Sequence, residues 1–365
     1  MAHAFARVIS GDSHVNEPTE LWWNAMGEKF GDRTPRLLDE YQGENGRFIY
    51  TGLRVMKLSD DEDELRNMGV ALNVGYEPQA RLDFQREAGV AAEIINPTFG
   101  LHQLVGPDRE AMRVAMQIYN DWAAEFISED RRRLIGACMV PVDDVDFAVA
   151  ELTRARDQGH WGALINMQPP EGRPPYRDPI YDPLWACAQD LGMPLTLHLA
   201  TGRNKTALQA RGKEEMEQVA GLHLHARLEI MAILGNDFIF GRILDRYPAL
   251  DIICSEFEIS WLPWFCAKMD ELQFAMSHRL ELPQLKMKAS DYVTRRIWHG
   301  MISDPYGVDT MKMLGAETIL WGSDFPHVRS VGLNAHDYLA ELLSGLPEAD
   351  QDKVAGGNCA RLVDL

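Results

Sequence analysis

The sequence predicts an α/β fold, a (β/α)8 TIM barrel, on three observations. Short apolar runs alternate with longer amphipathic ones along the 365 residues. Eight such runs occur, and eight strand–helix units close a barrel of parallel strands. The first run is not followed by the glycine-rich phosphate loop of a doubly wound open sheet; Asp12-Ser13-His14-Val15-Asn16-Glu17-Pro18 stands there instead.

The expected strands are Arg7–Gly11, Ala91–Asn96, Leu134–Val140, Gly162–Asn166, Pro194–His198, Leu250–Ser255, Arg296–Gly300 and Thr318–Gly322. Each is a short apolar stretch bounded by polar or turn-forming residues. Helical periodicity fills most of the gaps, over Asp108–Ile127, Asp143–Asp157, Pro183–Leu191, Ala226–Asp245 and Pro263–Met276. The gap between the first two strands is too long for a loop. Residues from about Glu17 to Gln85 read as a helical, aromatic-rich insertion holding Trp22, Trp23, Tyr41, Phe48, Tyr50 and Met56. Asp60-Asp61-Glu62-Asp63-Glu64 would open a helix there, its carboxylates suited to the positive helix start. An insertion after a barrel strand lies over the mouth, where it either shapes a pocket or merely covers apolar surface. No repeat or linker divides the chain, so residues 1–365 are expected to form one barrel domain.

Bulk composition narrows the function classes. Apolar residues make up 46%, enough for a sizeable core. The net charge of −19 disfavours nucleic acid and anionic membranes, whose phosphates need clustered Lys and Arg, but not a small anionic substrate. The five cysteines are scattered with no C-x-x-C spacing, which reads as reduced thiols in a cytoplasmic protein. The first residues lack a signal-peptide core, and no apolar run approaches the ~18 residues of a membrane span. Trp261-Leu262-Pro263-Trp264-Phe265 offers a face for a homodimer.

Three runs end in metal-ligand chemistry. Asp12 and His14 follow the first, His198 ends the fifth, and Asp324 follows the eighth. Asp12 and His14 are two apart, so strand alternation puts them on one face. Side chains at the C-terminal ends of barrel strands share one mouth. Carboxylate oxygen and imidazole nitrogen suit zinc, manganese or iron, and no cysteine stands near. Singly, each residue has an ordinary structural use. Ser323-Asp324-Phe325-Pro326 reads equally as a helix cap followed by an early proline. Together, four donors from three strand ends point to a divalent cation whose shell a water or substrate completes. His102, in the loop after the second strand, is a candidate substrate contact, as are Arg203 and Lys205 after His198, which could hold a substrate carboxylate or phosphate. Arg131-Arg132-Arg133 precedes the third strand, on the face opposite the mouth, and takes no catalytic role.

The chain resembles the amidohydrolase-related family that includes aminocarboxymuconate semialdehyde decarboxylase and resorcylate decarboxylases. The resemblance is carried by Asp12-Ser13-His14-Val15-Asn16-Glu17-Pro18, Tyr119-Asn120-Asp121-Trp122, Tyr181-Asp182-Pro183-Leu184-Trp185, Leu197-His198, Arg246-Tyr247-Pro248-Ala249-Leu250, Trp261-Leu262-Pro263, Gly322-Ser323-Asp324-Phe325-Pro326-His327 and Gly357-Asn358-Cys359-Ala360-Arg361-Leu362. It implies a (β/α)8 barrel with a catalytic divalent metal, held by Asp12, His14, His198 and Asp324, with Asp324 also serving as a base. One departure stands out. Where the decarboxylases carry a catalytic histidine at the sixth strand, this chain has Glu256, which can be a base, an acid or an oxygen ligand but not an imidazolium. Upstream, His223 and His225 alternate in Gly221-Leu222-His223-Leu224-His225; either can carry a ligand nitrogen or a proton, or face solvent.

Two functions follow. The first is a metal-dependent hydrolase or carboxy-lyase acting on a small or medium organic acid, with Asp324 as base and Glu256, His223 or His225 as the second proton carrier. The alternative is a non-haem dinuclear iron monooxygenase acting on a bulky acid or its coenzyme A thioester, since adding Glu256 and one more histidine to the four ligands gives a donor set suited to two irons. A binding protein without catalysis is the third possibility, because a barrel alone never establishes chemistry.

Overall fold

Eight parallel strands form the sheet that the apolar runs predict. The computed structural model describes residues 5–58, 73–202, 224–327 and 334–365. In chain order the parallel strands are β1 (Ile9–Val15), β5 (Ala92–Pro97), β6 (Leu134–Met139), β7 (Gly162–Ile165), β8 (Leu195–His198), β9 (Ile252–Ser255), β10 (Ile297–Met301) and β11 (Ile319–Trp321). Neighbours in this order are hydrogen-bonded. All eight expected strands are present. The first is displaced: β1 runs through Asp12 and His14 rather than stopping before them. The register of β1 against β5 shifts between Ser10 and Ser13. Such a bulge re-aims side chains. Ile9, buried in the barrel interior with Ile94, Ile135, Ile253 and Leu320, is followed on the same side by Asp12 and His14.

The seam between β11 and β1 is closed by bonds around serine and aspartate. The Ser323 N–H donates to Ser10 Oγ (2.8 Å), and the Asp324 N–H donates to the Asp12 carbonyl (3.0 Å). The His14 N–H donates to the Phe325 carbonyl (2.7 Å). Gly322 permits this approach: a Cβ there would lie 2.7 Å from the Asp12 Cβ.

The insertion corrects the expectation of a helical segment. After a helix at Leu21–Phe30 it forms an antiparallel sheet of β2 (Arg36–Tyr41), β3 (Glu44–Tyr50) and β4 (Val55–Leu58). The turn between β2 and β3 is Gln42-Gly43, with φ of 54° and 81°. Positive φ at both central residues is what a tight hairpin following the strand twist requires. Trp22 ties the insertion to the barrel by donating from Nε1 to the Ala115 carbonyl (2.9 Å). The acidic run Asp60–Glu64 lies outside the described residues. The helix Pro78–Ala88, which leads into β5, occupies the last part of the expected insertion and runs past its end at Gln85.

The expected helices are present with small shifts. Asp108 and Asp144 cap Arg109–Ser128 and Val145–Gln158, each accepting an N–H from its first turn. The helix expected over Ala226–Asp245 is divided into residues 224–233, Leu234–Ile239 and Ile243–Arg246, with Arg242 at φ 63° before the last part. Trp185, Tyr176, Tyr181 and Phe238 form an aromatic cluster between strands and helices.

His299 on β10 points away from the mouth. It is 1% exposed, and its Nε2 donates to the Val293 carbonyl (2.9 Å) in helix Ala289–Arg295. Burial pushes its pKa from 6.5 down to about 4. The fold therefore keeps it neutral, while the unfolded chain takes up a proton as pH falls below 6.5. Stability from this group is full above that value and declines between pH 6.5 and 4, by about 3 kcal/mol in all. Urea unfolding of wild type and His299→Gln across this range should show the variant losing less stability with acid. Parallel pH profiles would refute the assignment.

Candidate metal centre

The strand ends bring five predicted residues to one buried cluster. Asp12 and His14 come from β1, His198 from β8, Glu256 from just past β9, and Asp324 from just past β11. His14 Nε2 lies 3.5 Å from both Asp12 Oδ1 and Asp324 Oδ1. His198 Nε2 lies 3.7 Å from Asp12 Oδ2, and its Nδ1 lies 3.5 Å from Glu256 Oε2. Two overlapping donor sets meet the spacing of a cation site, Asp12–His14–His198 and His14–Glu256–Asp324–His327.

The donor atoms are prepared for a cation. His14 Nδ1 is 2.8 Å from the Pro97 carbonyl, which can only accept, so Nδ1 carries the proton and Nε2 offers its lone pair to the cluster. Asp12 Oδ1 accepts from Asn96 Nδ2 (2.7 Å). Among the described residues, Asp12 Oδ2, His14 Nε2 and both nitrogens of His198 are buried without a hydrogen-bond partner. Buried polar atoms are almost always paired. A lone pair and carboxylate oxygens facing one another are held together by a shared cation, so the residues fit a divalent metal with oxygen and nitrogen ligands.

Electrostatics point the same way. Burial, then His327 and His198, hold His14 well below the usual imidazole range, keeping it neutral. Burial alone would also lower His198, but the charges of Glu256, Asp12 and Asp324 outweigh it and push the pKa up to about 9. The carboxylates thus draw positive charge to this point, a proton in the absence of a metal. Burial raises Glu256 to about 7, opposed by His198 and reinforced by Asp324 and Asp12. Glu256 (φ 68°) and Asp324 (φ 52°) both occupy left-handed backbone. For residues with a Cβ this costs about 1–3 kcal/mol each and is typical of functional positions.

Asp324 does not cap a helix: residues 325–327 form a turn. His327 is instead its direct partner, with Nδ1 2.7 Å from Asp324 Oδ1 and Nε2 3.1 Å from Thr98 Oγ1. Burial opposes charge on His327, but the hydrogen bond and charge of Asp324 outweigh it and raise its pKa.

The other candidates fare differently. His102 sits in the helix Leu101–Val105, 6% exposed, its Nδ1 without a partner. Burial, then Arg54 and His327, lower its pKa well below the usual range, so it is near both the mouth and the insertion sheet. His225 is exposed at the start of the helical stretch 224–233 and is not among the grouped donors. His223, Arg203 and Lys205 lie outside the described residues.

Several supporting residues gave no sequence signal of their own. Asn96 aims Asp12. Glu17 is buried and accepts from the backbone N–H groups of Thr98 (3.3 Å), Phe99 (3.0 Å) and Gly100 (2.8 Å), fixing the loop that presents Thr98 to His327. Arg81, fully buried, bonds Glu93 Oε2 (2.7 Å) and the His14 carbonyl (3.0 Å) and stacks over Phe325 at 4.7 Å. Asn96 and Glu17 fall inside or beside quoted motifs, and a polar residue at a strand end was the available clue. Arg81 sits in a helix that was not recognised.

Known proteins share this arrangement of strands. A gamma-resorcylate decarboxylase of Polaromonas sp. is 25% identical over 297 residues, covering 78% of this chain and 86% of the relative. One from Rhizobium sp. is 26% identical over 294 residues, with the same two coverages of 78% and 86%. An amidohydrolase structure from Mycobacterium avium subsp. paratuberculosis superposes with a TM-score of 0.78 at 22% identity, covering 99% of this chain and 100% of that one. A dihydroxybenzoic acid decarboxylase from Polaromonas sp., solved with bound manganese and 2-nitroresorcinol, gives a TM-score of 0.67 at 20% identity, covering 98% and 97% of the two chains. The sequence profile described as amidohydrolase matches residues 13–365. That match spans nearly the whole chain, and the protein belongs to the amidohydrolase family.

Proposed function

We propose that the protein is a metal-dependent carboxy-lyase that removes CO2 from a small organic acid, with hydroxybenzoic acids as the first class to test. The observation that carries this reading is the convergence of Asp12, His14, His198, Glu256 and Asp324, with donor atoms of Asp12, His14 and His198 unpaired among the described residues. The names of the matched relatives favour decarboxylation. They lend no support to the oxygenase alternative.

Asp12, His14, His198 and Asp324 would hold the ion, with Glu256 in reach as a further oxygen. Such an ion supplies electrophilic pull on substrate oxygens when bound. One ion is favoured, because the two donor sets share His14 and this imidazole has a single free lone pair. Manganese is favoured by the all-oxygen-and-nitrogen donor set and by the manganese named in the Polaromonas structure. Purified protein is expected to hold one manganese per chain by elemental analysis, and His14→Ala to lose it. Two irons per chain would restore the oxygenase reading.

The chain's own residues manage the proton. In decarboxylation the bond from carbon to carboxylate breaks, CO2 leaves, and the carbon keeps the electron pair and takes a proton. In this reading Asp324, aimed by His327, first takes up a proton as a base from a substrate hydroxyl or from solvent and then returns it to that carbon, with Glu256 as the second proton carrier. His102 would contact the substrate. A homodimer belongs to the same reading and is supported by Trp264, which is 60% exposed on the helix Leu262–Glu271. Hydrolysis of a small carbonyl compound is the second reading, favoured by the carboxylate of Glu256 where the family resemblance places a histidine. The test is CO2 release from a panel of hydroxybenzoic acids by manganese-loaded protein. Release from at least one is expected. Hydrolysis of esters or lactones without any CO2 would shift the assignment to the second reading.

A further inference from the structure

At the end of the barrel away from the mouth, residues just ahead of β1, β5 and β6 frame a surface cleft of about 390 Å³. Among the described residues its lining includes Arg7, Arg86, Arg133 and His336, and no aspartate or glutamate. This runs against a chain with 55 acidic and 36 basic residues. Two other clefts among the described residues are mixed. One of about 780 Å³ sets Lys288, Arg295 and Arg361 against Asp270, Asp291 and Glu317, and one of about 340 Å³ sets Arg173 and Arg177 beside Asp237.

Of the cationic groups of the cleft, Arg7 is uncommitted and the others hold partners they can share or exchange. Arg7 is exposed and has no hydrogen bond or ion pair among the described residues. Arg133 spends one Nη2 on the Leu82 carbonyl (3.1 Å). Arg86 pairs with Asp83 at the surface, where both side chains are about half exposed (57% and 50%) and such pairs exchange at little cost. The one buried acid behind the cleft, Glu93, is already engaged by Arg81 and Gln85. His336 donates from Nε2 to the Gly89 carbonyl (3.0 Å), which fixes its ring at the rim. Arg133 ends the run Arg131-Arg132-Arg133, which the catalytic reading leaves without a role.

We infer that this cleft binds a small polyanion through paired hydrogen bonds from Arg7 and Arg133, with Arg86 as a third contact on release from Asp83. Guanidinium groups match the planar spacing of carboxylate and phosphate oxygens. The volume falls in the range of small-molecule sites, roughly 300–1,000 Å³. The shared chemistry is a phosphate or a dicarboxylate.

Isothermal titration of the metal-loaded protein at fixed ionic strength tests this, with inorganic phosphate in one arm and succinate in the other. Saturable binding of either supports the site, and which arm responds identifies the source. Arg7→Glu is expected to weaken that binding by about tenfold or more, the loss of a charge-assisted contact. Arg7 is exposed and makes no hydrogen bond or ion pair among the described residues, so its replacement is expected to leave folding intact. Asp324→Asn, in the mouth, should leave the binding unchanged. The inference is overturned if neither anion binds saturably up to about 10 mM, a range well past a millimolar Kd. It is equally overturned if binding survives Arg7→Glu and is lost in Asp324→Asn.

Discussion

Replacing Asp324 by asparagine is expected to lower turnover by roughly 10³-fold while leaving the fold intact. The amide keeps an oxygen where Asp324 Oδ1 stands, 3.5 Å from His14 Nε2, but it can neither take nor deliver a proton. Its volume matches the carboxyl, and its backbone position at φ 52° suits asparagine better than most residues. Metal content measured beside kcat separates the two contributions. Retained metal with lost turnover identifies a proton carrier, and lost metal identifies a ligand. His327→Gln is the graded control. It keeps a donor near Asp324 Oδ1 but alters its aim, and the expected loss is about 10- to 100-fold. If Asp324→Asn kept activity within a factor of about ten, general acid–base catalysis by this residue would be excluded.

The second large effect concerns stability. Arg81→Met should destabilise the fold by about 3–5 kcal/mol, because it strands the Glu93 carboxylate in a site 1% exposed. Arg81 also holds the His14 carbonyl and covers the Phe325 ring, which stacks on Phe84 at 3.9 Å. Removing it therefore loosens both segments that carry the cluster. Adding Glu93→Gln removes the uncompensated charge, so the double variant should recover part of the loss. Denaturant midpoints of the single and double variants measure this directly. Equal stability of wild type and Arg81→Met would show that the buried pair contributes nothing.

How much was legible in the sequence follows from what each feature depends on. Strand–helix alternation is local, so all eight barrel strands could be read from short apolar runs. Asp12, His14, His198 and Asp324 could be grouped because strand ends in a barrel share a mouth. The three-stranded sheet of the insertion could not be read as easily, since the polar and apolar residues of β2 do not alternate strictly and a register irregularity falls between Leu38 and Glu40, so its clearest signal is Gln42-Gly43. The continuation of β1 through Asp12 depends on a bulge against β5, a relation between segments about eighty positions apart. Asn96, Glu17 and Arg81 act through partners distant along the chain, and a polar residue in isolation does not announce its partner. His327 was visible as a neighbour of Asp324, but only its contact with Thr98 shows that it joins two loops.

The seam between the first and last strands sets a timetable for biosynthesis. Asp12 is made long before Asp324, and the two are brought together where Ser10 and Ser323 join the edges of β1 and β11. A nascent polypeptide that has not yet reached β11 carries Asp12, His14, His198 and Glu256 but lacks Asp324 and the strand that closes the ring. The full donor set is therefore assembled only when the last strand docks against the first, and chains stalled before β11 lack the carboxylate of Asp324.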